Sequence, residues 1–250
     1  MAERVARRIA HAGIASRREA ERLIAQGRVA VNGEVLTSPG VTVTADDIVT
    51  VDGMRIPDRP RLRLWRLNKP PGLVVSRQDE RGRRTVFDLF GDSHPHLMSV
   101  GRLDIASEGL LLVTNDGDLA RWMELPLTGW ARRYRVRVYG VPAKDALETL
   151  ERGVTVDGVR YGSITARLDG RTGANAWLTM TLREGRNREI RRVLGSLGLT
   201  VNRLIRTSYG PFQLGKLARG AVEEVPVKVL REQLPGDWRP RLDAHRCRPS

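Results

Sequence analysis

One carboxylate is set where chemistry could be done. Asp104 lies in Val100-Gly101-Arg102-Leu103-Asp104-Ile105-Ala106-Ser107-Glu108-Gly109, directly ahead of Leu110-Leu111-Leu112-Val113-Thr114, which an Asn115-Asp116-Gly117 turn closes. The apolar run predicts a buried strand, so Asp104 falls in the loop feeding it, two residues from the Arg102 guanidinium. A fixed acid beside a cation suits nucleophilic or acid–base work. A loop aspartate more often caps a turn or a helix, so the residue needs companions before it means more.

Two other segments supply them. Between Arg183 and Arg206 stand seven arginines and two acids, with Glu184-Gly185-Arg186-Asn187-Arg188-Glu189-Ile190-Arg191-Arg192 passing from strand to helix. Guanidinium forks and free N–H groups at a helix start bind phosphate, and a neighbouring cation keeps a half-dry carboxylate ionised. Arg191 is the preferred partner of Asp104. Tyr134, in Arg132-Arg133-Tyr134-Arg135-Val136-Arg137, is one of few aromatics and offers a surface for stacking, although on the residues alone a core position in the same strand is the better reading. A third segment, Leu67-Asn68-Lys69-Pro70-Pro71-Gly72, reads as a strand ending in a rigid turn.

The elements that must position these groups fall into two units. Over residues 1–56, Ile9, Ile14, Leu23 and Ile24 mark two short helices, the second opened by a Ser16…Glu19 capping box and closed by Gly27. Strands about Asn32-Gly33 follow, then Val41–Val43 and Ile48–Val51, giving two helices on a small sheet. Residues 57–61, with Pro57 and Pro60, are the linker. From 62 to 234, strands are expected at 62–67, 73–76, 110–114, 133–139, 164–168, 176–182 and 201–206, with helices near 118–125, 143–151 and 188–197. Hairpin signals such as Val156-Asp157-Gly158-Val159 make the sheet mainly antiparallel and mixed, an α+β domain flanked by helices. The basic segment 235–250 is expected to be a flexible tail.

Composition narrows the partner. The 250 residues carry 43 Lys+Arg against 29 Asp+Glu, a formal charge of +14, and only Lys69, Lys144, Lys216 and Lys228 are lysines. That balance favours a polyanion, nucleic acid above all. In the first 60 residues nine arginines meet eight acids, yet Arg4, Arg7, Arg8, Arg17, Arg18, Arg22 and Arg28 gather in the helical half, as a phosphate-binding face would require. The lone Cys247 rules out an intrachain disulfide framework or a cysteine zinc site. With no apolar run of membrane length and no secretory signal, the expected location is the cytoplasm. His94-Pro95-His96 lacks converging ligands and receives no role.

Two resemblances follow. Ala10-His11-Ala12-Gly13-Ile14-Ala15-Ser16-Arg17-Arg18-Glu19-Ala20-Glu21, ending in Val29-Ala30-Val31-Asn32-Gly33, resembles the RNA-binding domain named after ribosomal protein S-four, whose helices dock on structured RNA. Gly101-Arg102-Leu103-Asp104 with Gly109-Leu110-Leu111-Leu112, the Lys69-Pro70-Pro71-Gly72 turn, and Glu184-Gly185-Arg186-Asn187-Arg188 with Ile190-Arg191-Arg192 resemble the ribosomal-RNA pseudouridine synthases of the RsuA and RluB type, down to about Val229. The resemblance implies isomerisation of uridine to pseudouridine without a cofactor or metal. It places the catalytic aspartate on Asp104, the stacking tyrosine on Tyr134 and the aspartate-pairing arginine on Arg191. Arg102 would sit at the flipped-out site, and Arg186, Asn187, Arg188 and Arg192 would join the S-four-like arginines in holding RNA. Ser107 and Glu189 stand where the commonest pattern has threonine and glutamine. The 79–88 loop is closer to the large-subunit branch, so the implied partner is large-subunit ribosomal RNA, bound by a monomer. The alternatives are a small-subunit target and a non-catalytic ribosome-assembly factor.

Overall fold

The structure, a computed structural model, describes residues 2–77, 79–91 and 96–243. Cys247, His94 and Pro95 lie outside them.

The N-terminal unit opens with β1 (Glu3–Arg4), α1 (Val5–His11) and α2 (Arg17–Ala25). Ser16 Oγ accepts the Glu19 N–H at 3.2 Å, so the first turn of α2 is capped as its sequence requires. Ala20, Leu23 and Ile24 follow at helical spacing and are buried against Val5, Ala6 and Ile9 of α1. The strands β2 (Val29–Val31), β3 (Glu34–Val35), β4 (Thr42–Val43), β5 (Val49–Val51) and β6 (Met54–Arg55) come next. β3-β2-β5-β6 form one antiparallel sheet, while β4 pairs with β1. Asn32 and Gly33 take φ of 51° and 90°, the doubly left-handed turn that matches strand twist. Ile56 is buried in this core, so the unit's packing runs to the edge of the proline-bearing linker.

The larger unit comprises β7 (Leu64–Lys69), β8 (Met98–Val100), β9 (Glu108–Thr114), α3 (Gly117–Glu124), β10 (Arg132–Tyr139), α4 (Lys144–Thr149), β11 (Val154–Val156), β12 (Val159–Tyr161), β13 (Ile164–Thr172), β14 (Asn175–Leu182), α5 (Glu189–Ser196), β15 (Thr200–Tyr209), β16 (Phe212–Gln213), β17 (Val222–Glu224), α6 (Val227–Gln233) and α7 (Arg239–Asp243). Its sheet runs β13-β14-β10-β15-β9-β7-β17, with β8 on β9 and β16 on β15. Among these pairings only β15 with β9 is parallel. β9 is buried on both faces, which is why Leu110 to Val113 read as a continuous apolar run. One face packs Leu67, Leu111, Tyr134, Val136 and Met180 against Ile190, Val193 and Leu194 of α5. Each of those α5 side chains contributes up to about 1.5–3 kcal/mol by burial. The other face packs Leu110 and Leu112 against α3, α6 and α7 through Leu119, Met123, Leu230 and Leu242.

Three expectations need correction. Over 73–76 the chain makes a single bridge, Val74 to Thr85, rather than a strand. Asn115-Asp116-Gly117 is a helix start more than a turn, since the Asp116 carboxylate accepts the N–H groups of Asp118 and Leu119 at 3.0 and 3.1 Å. The tail from Pro235 folds as far as Asp243: Leu242 is buried, Trp238 packs near Trp122, and Arg241 pairs with Asp116. Two apolar anchors and one ion pair were enough to fix a segment whose composition suggested none.

The units meet at the start of α3. Asp118 takes Arg7 at 2.8 Å and Arg59 at 2.9 Å, and His11 lies 3.1 Å from Asp118 and 2.9 Å from Glu3. Burial pushes the His11 imidazole down, but the Asp118 and Glu3 carboxylates outweigh it and leave its pKa raised.

Candidate active site

A cross-strand row sets the geometry. Met180 pairs with Tyr134, Tyr134 with Arg206, Arg206 with Gly109 and Gly109 with Lys69, so five strands bring neighbouring residues into one row across the sheet. A bulge at Thr207 opposes two residues of β15 to one of β10 and brings both Arg206 and Tyr209 against the start of β10. Gly109, at φ 97°, cannot be replaced: a Cβ there would run into the Arg206 backbone. Above this row opens a cleft of about 460 Å³, lined by Arg102, Asp104, Tyr134, Arg186, Arg188 and Arg206 among others.

Asp104 is held by backbone rather than by its own side chain. The Lys69 ammonium, fully buried, donates to the carbonyls of Ser107 at 2.9 Å, Ile105 at 3.2 Å and Asp104 at 3.3 Å, as well as to Pro70 at 3.0 Å. Gly72 N–H adds a bond to the Ile105 carbonyl at 2.8 Å, so the Lys69-Pro70-Pro71-Gly72 turn is the bracket of the Asp104 loop. Burial pushes the Lys69 pKa down to about 8, against the pull of the Asp104 and Glu108 carboxylates.

The Asp104 carboxylate faces two cations. Arg188 Nη1 and Arg191 Nε each lie 3.8 Å from its Oδ2. Arg191 is anchored from behind by Nη1 donating to the Val201 carbonyl at 2.9 Å, and its Nε is buried without a hydrogen bond among the described residues. Burial and the neighbouring Arg188 lower the Arg191 pKa, yet a guanidinium stays charged. Arg188 takes left-handed φ of 52° at the N-cap of α5, a strained conformation that turns its side chain back toward Asp104. Both separations exceed hydrogen-bond length. The two guanidinium groups therefore orient the carboxylate by charge, without a hydrogen bond to it among the described residues.

Tyr134 forms part of the wall, buried to 8% exposure. Below it Arg132 donates to the Glu184 and Arg183 carbonyls and to the Tyr209 hydroxyl at 2.8 Å, which donates on to Met123 at 3.0 Å. The Glu189 carboxyl, buried beneath the rim, accepts the Arg186 N–H at 3.0 Å, and burial raises its pKa.

The structure thus brings Asp104 and Tyr134 into the lining of one cleft with Arg102, Arg186 and Arg188, and sets Arg191 beside Asp104 but outside that lining. Asn187 and Arg192 are exposed outside the lining. Of the N-terminal arginines, Arg4, Arg17 and Arg18 are exposed and without an ion pair among the described residues, whereas Arg22 is paired with Glu19, Arg8 lies near Glu3, and Arg7 joins the two units. Sequence reasoning missed Lys69, Arg132, Arg206 and Tyr209 as site residues. Lys69 left a signal: a lysine in an arginine-rich chain, at the end of an apolar strand.

Residues 63–196 match the family described as RNA pseudouridylate synthase, and residues 3–49 match the S4 domain. A protein of Rickettsia bellii named as an uncharacterized RNA pseudouridine synthase is 44% identical over 92% of this chain and 99% of its own. The ribosomal large subunit pseudouridine synthase B of Bacillus subtilis is 38% identical over 92% of this chain and 95% of its own. A crystal structure of a pseudouridylate synthase superposes with a TM-score of 0.65 at 25% identity, over 92% of this chain and 99% of that one. No helix of the described residues is long and apolar enough to cross a membrane. This chain belongs to the RNA pseudouridine synthases, with an S4 domain at its N-terminal end.

Proposed function

We propose that the protein converts a specific uridine of large-subunit ribosomal RNA to pseudouridine in the cytoplasm, with Asp104 as nucleophile on a flipped-out nucleotide. The observation that carries the mechanism is the Asp104 carboxylate poised between Arg188 and Arg191 at 3.8 Å each, at a cleft walled by Tyr134. The large-subunit assignment draws on the Bacillus subtilis relative, named for that subunit.

A uridine must leave its stack to reach a loop carboxylate, and an aromatic wall offsets part of the stacking it gives up. Tyr134 stacks on the base. Asp104 attacks the anomeric carbon, the uracil turns within the cleft, and C5 rejoins the sugar. Arg191 keeps the nucleophile charged and aimed, which a lysine would do less well for want of the fork. Arg102, Arg186 and Arg188 take phosphates at the rim, while Arg17 and Arg18 of α2 extend the grip over a longer stretch of RNA. Mapping pseudouridines in the ribosomal RNA of a strain lacking this protein tests the reading. Loss of one site in the large-subunit RNA is expected. Loss only from the small subunit overturns the target, and an unchanged map overturns the activity on ribosomal RNA.

A further inference from the structure

The cleft holds a buried cation that Asp104 does not use. Arg206 is 2% exposed, and its guanidinium makes one hydrogen bond among the described residues, from Nε to the Leu110 carbonyl at 2.7 Å. Nη2 is buried without a partner, and no described carboxylate lies within ion-pair reach. Removing a charge from water without pairing it costs several kcal/mol. Arg132, over the same Tyr209 ring, is satisfied by carbonyls and a hydroxyl, so the region can saturate a guanidinium when nothing else requires it.

Arg206 is fixed beside the reacting groups. It stands between Tyr134 and Gly109 in the cross-strand row, its carbon centre 5.1 Å from the Tyr209 ring, and it lines the cleft that Asp104 enters. A cation there, unpaired in the free protein, awaits an anion that the reaction itself creates.

We propose that Arg206 is a catalytic residue that takes up the negative charge of the uracil as it leaves the ribose. The inference rests on Asp104 being the nucleophile. An Asp104 oxygen bonds to C1′ while the C1′–N1 electron pair passes to N1, so the carboxylate's charge becomes that of a uracil anion spread over N1, O2 and O4. The base turns, C5 attacks C1′ and the ester bond breaks, returning the carboxylate; the proton lost from C5 is balanced by one gained at N1. Arg206 donates to a uracil oxygen while the charge is on the base. A preorganised donor aimed at developing charge contributes about 10²–10³ in rate.

Single-turnover rates of Arg206→Gln and Arg206→Lys in the full chain, on an RNA that the wild type converts, test this. A second RNA carries 5-fluorouridine at the target, a better leaving group through its more acidic ring nitrogen, and is followed by disappearance of the fluoronucleoside. Arg206→Gln is expected to slow uridine by about 10²–10³-fold with RNA affinity retained, and fluorouridine at least tenfold less than that. Arg206→Lys is expected to lie between it and the wild type. An equal defect on both RNAs makes Arg206 a structural residue and overturns the proposal. A loss of affinity at unchanged rate makes it a phosphate contact and overturns it too. If the glutamine variant fails to fold, the lysine variant supplies the same comparison between the two RNAs. Turnover by Asp104→Asn would instead overturn the nucleophile reading beneath it.

Discussion

Replacing Lys69 with methionine separates what its charge does for the fold from what it does for the reaction. Holding a buried ammonium at a pKa of about 8 in place of 10.5 costs about 3 kcal/mol. Methionine removes that cost together with the bonds to the Asp104, Ile105 and Ser107 carbonyls, whose loss costs about 1–3 kcal/mol for each group that water cannot reach. The three carbonyls together outweigh or match the cost removed, so the net destabilisation is about 0–6 kcal/mol, or a melting shift of up to roughly 20 °C. The loop that aims Asp104 loses its bracket, however, and a displacement near 1 Å costs about 10²-fold in rate. Tritium release from C5-labelled RNA under single turnover, beside thermal melts, reads both. The pH dependence sharpens the test. Between about 8 and 10.5 the unfolded chain holds the Lys69 proton and the folded chain does not, so wild-type stability rises with pH in that window while the rate falls as the ammonium is lost. Lys69→Met is expected to show neither slope. A variant that keeps the wild-type rate but melts more than 10 °C lower would refute the reasoning, because Lys69 would then serve the fold alone.

Three further outcomes follow from the same electrostatics. Glu189 has a raised pKa through burial, so folding stability is lost as pH rises from 4.5 through the folded value; Glu189→Gln is expected to melt a few degrees higher at pH 8, an advantage of about 1–2 kcal/mol that vanishes below pH 4.5, and no gain at pH 8 would refute it. His11 has a raised pKa despite burial, through Asp118 and Glu3, so its contribution is complete below pH 6.5 and is lost as pH rises through the folded value. The melting gap between wild type and His11→Gln should therefore be widest at pH 6 and narrow by pH 9; a constant gap would contradict that. Replacing Arg17 and Arg18 together by alanine should leave stability within about 0.5 kcal/mol and reduce the salt slope of RNA binding by roughly 1.5–2. An unchanged slope would remove α2 from the RNA interface.

Asp104 and Arg191 stand out because each lies within a contiguous run whose residue types could carry chemistry, while Tyr134 is singled out by the family resemblance of its strand's surroundings. The loop ahead of an apolar strand, the basic strand with two tyrosines, and the helix start crowded with arginine are all local patterns. Arg206 and Lys69 were not legible in the same way. Their meaning depends on a register that aligns β7, β9, β15 and β10, and on the bulge at Thr207 that shifts it. Alternation alone gives no sign that an inward arginine will lack a partner. Helix α6 was missed although Val227, Leu230 and Leu234 recur on one face, and the tail was discounted because its polar composition concealed Trp238 and Leu242. Pairing of Arg188 with Asp104 needed the left-handed backbone at the start of α5, which an arginine does not advertise.

The most direct measurement is tritium release by Asp104→Asn on an RNA that the wild type converts, with affinity for the same RNA measured alongside. The substitution keeps the size of the side chain and removes the charge that Arg188 and Arg191 hold in place. The expected result is no detectable release with RNA affinity close to that of the wild type. Turnover at the wild-type rate would contradict the assignment of Asp104 as the nucleophile.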